Sequence, residues 1–127
     1  MDPRFLGLDE VLAIHEDRIR QYGGSSGVRD LGLLESALGT VMATFGGEFL
    51  HQTLYEMGAA YLFNLCRNHP FLDGNKRTAL ACALVFLRDN GVRIKSGQDE
   101  LYDLVIGIAE GRVSKSAVAV FFEEHKG

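Results

Sequence analysis

Apolar residues recur at intervals of three and four along most of the chain, the spacing that lines one face of an α-helix. Leu8, Val11, Leu12, Ile14 and Ile19 make the first stripe, which Tyr22-Gly23-Gly24 closes. After the polar turn GGSSGVRD, Asp30 stands where a helix cap is needed and predicts a short helix to about Leu38, with Leu33, Leu34 and Ala37 inward. Between Val41 and His51 the helical spacing fails. Gly46-Gly47, set between Thr44-Phe45 and Glu48-Phe49, predicts a small flap or hairpin there. Thr53 and Glu56 have the spacing of a capping box and open the next helix, whose Met57, Ala60, Tyr61, Leu65 and Cys66 make a wide apolar face. That helix is expected to stop near Asn68, because the residue before Pro70 is steered away from helical angles.

A further helix is predicted from about Gly74 to Asp89. It is apolar on most sides from Ala79 to Leu87, which predicts a central, largely surrounded helix, and Asn90-Gly91 ends it. A short extended piece, Val92 to Lys95, leads to Ser96 and Asp99 at capping-box spacing and a helix through Glu110 stopped by Gly111; a last helix runs from about Ser114 to Glu124. The pattern as a whole reads as all-α, a compact bundle of about six helices with one small flap. With 127 residues, 46% of them hydrophobic, the chain is expected to form one domain over residues 1–127.

Charge and cysteine usage narrow the function classes. A net charge of -4 provides no basic footprint for a nucleic-acid backbone, so direct nucleic-acid binding is not expected. Cys66 and Cys82 sit inside apolar helical patterns, without the close spacing of a zinc or redox pair, and read as small buried hydrophobes suited to a reducing compartment. The first residues lack the basic-then-apolar order of a secretory leader, and no apolar run approaches the roughly 20 residues of a membrane span. The expected location is therefore the cytoplasm, without membrane contact.

The chemistry concentrates in residues 68–80, NHPFLDGNKRTAL. A helix start exposes unpaired backbone N–H groups and the positive end of a dipole, so the turn Asp73-Gly74-Asn75 at a helix entrance is prepared for an anion. Gly74 lets the backbone come close. Lys76 and Arg77 in the first turn oppose the usual preference for acidic residues there, at a cost of a few tenths of a kcal/mol that an anion would remove. A polyphosphate fits: Arg77 can grip oxygens in a bidentate fork, Lys76 adds a point charge and Asn75 offers an amide donor. Asp73 would repel phosphates unless a divalent cation lies between them, and magnesium commonly bridges one carboxylate to substrate phosphates. A neutral His69 can take the proton of an attacking hydroxyl. Taken singly, Asp73 reads equally as an ordinary N-cap, Lys76 and Arg77 as a solvated face and His69 as a helix-end histidine. Five polar residues within nine positions at one helix entrance favour the joint reading.

The string HPFLDGNKR resembles the signature of the Fic/Doc superfamily, His-Pro-Phe-x-Asp/Glu-Gly-Asn followed by Gly-x-x-x-Arg in Fic proteins or by Lys-Arg in Doc proteins. LDEVLAIHEDRIRQYGGSSGVRDLGLLESAL before it and TALACALVFLRDNGVRI after it are similar to death-on-curing (Doc) toxins, so the likeness covers nearly the whole chain. The resemblance implies a helical Fic-type core and the toxin of a toxin–antitoxin pair that modifies elongation factor Tu using ATP. Lys76, where Fic proteins have their second glycine, implies transfer of the terminal phosphoryl group to a Ser or Thr rather than AMP transfer. Matched to the motif, His69 is the base, Asp73 the magnesium-linked carboxylate, and Gly74, Asn75, Lys76 and Arg77 the phosphate anchor. Arg67 matches an arginine often found in Doc-like chains; as a cation at a helix C-terminus it has an equally good structural reason to be there.

Two departures bear on this reading. Leu80 stands where Fic proteins carry their second arginine, and Ala81 where some Doc proteins carry a polar residue. The self-inhibitory pattern Ser/Thr-x-x-x-Glu-Gly/Asn is not met: Thr44 to Glu48 has the spacing, but Phe49 follows. Inhibition is accordingly expected in trans, from an antitoxin whose tail lies in apolar grooves. The alternatives are AMP transfer to a protein hydroxyl and, from another class, a non-catalytic antitoxin-bound co-repressor.

Overall fold

The computed structural model describes residues 2–127 and is all-helical apart from one two-stranded flap. In chain order the elements are α1 (Leu8–Tyr22), α2 (Leu31–Met42), β1 (Thr44–Phe45), β2 (Glu48–Phe49), α3 (Leu54–Asn68), α4 (Asn75–Asp89), α5 (Gln98–Ala109) and α6 (Lys115–Glu124). The strands pair antiparallel, Thr44 with Phe49 and Phe45 with Glu48, around the Gly46-Gly47 turn, where both glycines have positive φ.

Helix α4 is surrounded as expected, by α1, α3 and α5, but the hub is α3, which packs against α2, α4, α5 and α6. Nine of the fifteen α3 residues are buried, against seven of fifteen in α4. Small residues explain the place of α3. Gly58, Ala59 and Ala60 let neighbouring helices close in on several sides, and a Cβ added at Gly58 would stand 2.9 Å from Leu87 Cγ of α4. The buried apolar residues join into one cluster that includes Leu34, Val41, Tyr61, Phe86, Ile108 and Phe122.

Helix ends follow their capping residues. Asp30 Oδ1 accepts from Leu33 N at 2.9 Å, Thr53 Oγ1 from Glu56 N at 3.1 Å and Ser114 Oγ from Ala117 N at 3.1 Å. Two expectations need correction. Helix α2 continues to Met42 instead of ending near Leu38, because Val41 is fully buried against the core and tertiary packing extends the helix past its weak local signal. The Ser96–Asp99 capping box does not form: Gly97 is the N-cap of α5, without a side-chain bond, and the Ser96 hydroxyl turns instead to Gly97 O and Glu100.

Candidate active site

The α3–α4 junction is held from behind by the segment between α1 and α2. His69, the C-cap of α3, adopts left-handed angles (φ 50°, ψ 53°), the only non-glycine residue with positive φ among those described. The residue before a proline is steered out of the right-handed helical region, and histidine tolerates the left-handed one better than most side chains. The exposed carbonyls of Asn68 and His69 are satisfied by one side chain: Arg29 donates from Nε to His69 O at 2.7 Å and from Nη2 to Asn68 O at 3.0 Å. The backbone N–H groups of Arg29 and Asp30 both donate to Pro70 O, and Leu72 N donates to Gly27 O. A bridge between Val28 and Phe71 completes this short antiparallel brace.

His15 supplies a second support, from α1. It is 2% exposed and lies flat on Phe71, ring centroids 3.9 Å apart, and its Nε2–H donates to Asp73 O at 2.8 Å. Phe71 is itself buried and anchors the loop to the core. Sequence reasoning passed over His15, although it falls on the same face as Val11 and Ile19, four residues from each; an imidazole in the register of buried positions was the available signal. Arg29, Gly24 and Ser25 carried no such signal. Ser25 N donates to Asp73 Oδ2 at 2.8 Å, and a Cβ at Gly24 would stand 3.1 Å from that of Asp73, so this glycine permits the approach. Asp73 is not the N-cap of α4; Gly74, at φ 76°, is.

Asn75 occupies a different place from the one its motif position suggested. It is 6% exposed, and its amide pairs with the Phe71 backbone, Oδ1 accepting from Phe71 N at 2.9 Å and Nδ2 donating to Phe71 O at 3.0 Å. That pairing fixes which end of the amide faces His69, so Nδ2 donates to His69 Nδ1 at 3.1 Å. Both amide hydrogens therefore serve the loop, and the donor this position leaves open for an anion is the backbone N–H. The neutral His69 ring in this geometry carries its proton on the outward Nε2.

Helix α4 opens without a capping side chain and without an acidic residue in its first turn. Lys76 and Arg77 are exposed there and make no ion pair among the described residues. The Arg77 guanidinium lies over the half-exposed ring of Tyr22, 4.6 Å from its centroid. Gly74, Asn75, Lys76 and Arg77 line one end of a cleft of ≈ 420 Å³, whose other walls come from Leu80 and from Tyr102, Val105 and Ile106 of α5. That size suits a small ligand. Arg67 is not part of this cleft: its Nη1 donates to Ile108 O at 3.1 Å, at the C-terminal end of α5.

The helix start offers donors to an anion; His69 is exposed and bonded to Asn75 but does not itself line the cleft. Among the described residues no group of three His, Cys, Asp or Glu side chains is placed to hold a metal ion unaided. Asp73, with one oxygen engaged by Ser25 N and its side chain exposed, fits a magnesium ion that takes most of its other ligands from water and phosphate. Both thiols are buried, Cys66 at 2% and Cys82 at 0% exposure, and burial pushes the Cys66 thiol up and that of Cys82 to about 12, so neither is poised as a nucleophile. No described helix is long and apolar enough to cross a membrane.

Comparison with known proteins identifies the family of the chain. Residues 5–87 match the Fic/DOC family. The chain is 43% identical over 116 residues to the protein kinase doc of Escherichia phage P1, covering 91% of this chain and 90% of that protein. It is 45% identical over 78 residues to the toxin Doc of Mycolicibacterium smegmatis, covering 61% of this chain and 60% of that protein.

Proposed function

Since the chain belongs to the Fic/DOC family, we propose that it is the toxin of a toxin–antitoxin pair and that it phosphorylates a Ser or Thr hydroxyl of elongation factor Tu, using Mg-ATP. The observation that carries this reading is the uncapped start of α4, where Lys76 and Arg77 stand without acidic partners beside an exposed His69. The N–H groups of the first turn, the Lys76 ammonium and the Arg77 fork together offer the donors a polyphosphate needs. Arg77 would leave the Tyr22 face to reach it, exchanging one cation–π contact for charge-assisted hydrogen bonds. A relative that spans nearly the whole chain is named a protein kinase, in line with phosphoryl rather than AMP transfer.

In the reaction the protein hydroxyl attacks the terminal phosphorus, the bond from that phosphorus to the bridging oxygen breaks, and ADP leaves. The hydroxyl proton passes to His69. Because Nδ1 of the resting ring accepts from Asn75, the imidazole must turn its unprotonated nitrogen to the substrate. The movement breaks a single hydrogen bond, a net cost of about 0.5–1.5 kcal/mol. A magnesium ion held through Asp73 would neutralise charge on the phosphates. The antitoxin acts in trans, and the apolar groove between Phe5, Leu8, Leu38 and Met42 is a surface of the right character for its tail.

Purified protein incubated with elongation factor Tu and ATP labelled on either the terminal or the innermost phosphate tests the proposal. Label arriving from the terminal phosphate, and lost in His69→Ala, is the expected result. Label arriving only from the innermost phosphate would replace phosphorylation by AMP transfer.

A further inference from the structure

The cleft beside α4 has two unlike ends. One is cationic, with Lys76 and Arg77 at an open helix start. The other is apolar and aromatic: Leu80, Val105 and Ile106 line it, and Tyr102 stands over it 65% exposed. Tyrosine carries a large apolar face, and leaving two-thirds of it in water beside an apolar wall forgoes most of the gain from burying it. Helix α5 also has Asp99, Glu100 and Asp103 around Tyr102 and no basic residue, so this end repels phosphates. The charges therefore orient any bound polyanion with its phosphates toward α4 and its uncharged part toward α5.

From this polarity we infer that Tyr102 is the stacking platform for the base of a nucleoside triphosphate whose phosphates lie on Gly74, Lys76 and Arg77. A planar base has a π-face on each side, and stacking on an exposed aromatic ring completes the apolar wall without requiring a hydrogen-bonding pocket. The inference rests on the proposed use of ATP and adds a residue that selects for the base. It assigns the platform to α5, outside the HPFLDGNKR string.

The test is calorimetric titration of the full-length protein with Mg-ATP and, separately, with inorganic tripolyphosphate. Tyr102→Ala is expected to weaken Mg-ATP binding by about 5- to 100-fold, the usual size of one base–aromatic contact. Tripolyphosphate should bind the variant as it binds the wild type, and Tyr102→Phe should restore Mg-ATP affinity. Equal Mg-ATP affinity in the wild type and Tyr102→Ala would overturn the stacking role and leave the kinase reading intact. Failure of the wild type to bind either titrant would overturn both. Because Tyr102 lies mostly in solvent, its truncation should not disturb folding, and an unchanged melting temperature checks this.

Discussion

Helices α3 and α4 pack against each other and have the same length, yet their starts are built on opposite rules. At the start of α3, Thr53 caps Glu56 N, and the Glu56 carboxylate accepts from Gln52 N at 3.0 Å while setting negative charge against the positive end of the helix. At the start of α4 a glycine takes the cap position, no side chain covers the free N–H groups, and two cations add to the positive end. The first arrangement is complete within the protein. The second leaves its positive end without a counter-charge, which under the proposed function the nucleotide phosphates supply, and the contrast sets a helix end closed for stability against one left open.

Removing the group that the open end serves should give the largest effect. His69→Ala is expected to lower the rate of phosphoryl transfer by about 10²- to 10⁴-fold, measured as label incorporated into the target, with no loss of folded protein by circular dichroism. Breaking the closed end should act on stability alone. Thr53→Ala is expected to cost about 1 kcal/mol in urea unfolding and leave nucleotide affinity unchanged; an equal loss of affinity would show that the two helix ends are not independent.

Converting the open end into a closed one sharpens the contrast. Lys76→Glu places an acid in the first turn, as α3 has one in its own, so the nucleotide-free protein should gain about 0.3–1 kcal/mol at low salt while the rise in melting temperature caused by Mg-ATP disappears. A variant that melts earlier than wild type without nucleotide would contradict the claim that the cations are out of place in the empty protein. The smallest effect lies at the C-cap of α6, which is a histidine, His125. The bond from His125 Nδ1 to Phe121 O, and then Glu100 beside Nε2, raise the His125 pKa above its ordinary value of 6.5. A raised histidine pKa stabilises the fold fully below the unfolded value and ceases to do so as pH climbs through the folded one. Wild type should therefore lose melting temperature relative to His125→Gln as the buffer moves from about pH 6 to 8.

How far the sequence could be read follows from the range of each interaction. The six helices, the Gly46-Gly47 flap and the caps at Asp30 and Thr53 were legible because period and capping residue lie within a few positions of each other. The end of α2 and the central place of α3 were not, because packing of Val41 and closeness at Gly58 depend on other helices. Within the candidate site, His69, Asp73 and the Gly74–Arg77 turn come together as neighbours in sequence must. The parts that hold them were hidden: Arg29 is 40 residues from His69, and Ser25 is 48 from Asp73. Asn75 and Arg67 stand where the motif puts them but bond to the loop and to α5, a choice of hydrogen-bond partner that spacing alone does not record.

The left-handed backbone at His69 sets thermal endurance against activity at a single position. Glycine holds those angles at less cost than any residue with a Cβ, and asparagine is also at ease there. A library screened only for survival on heating should drift toward one of the two at position 69. Each heat-resistant clone with that change would have surrendered the imidazole, leaving a sturdier protein without the group proposed to receive the proton.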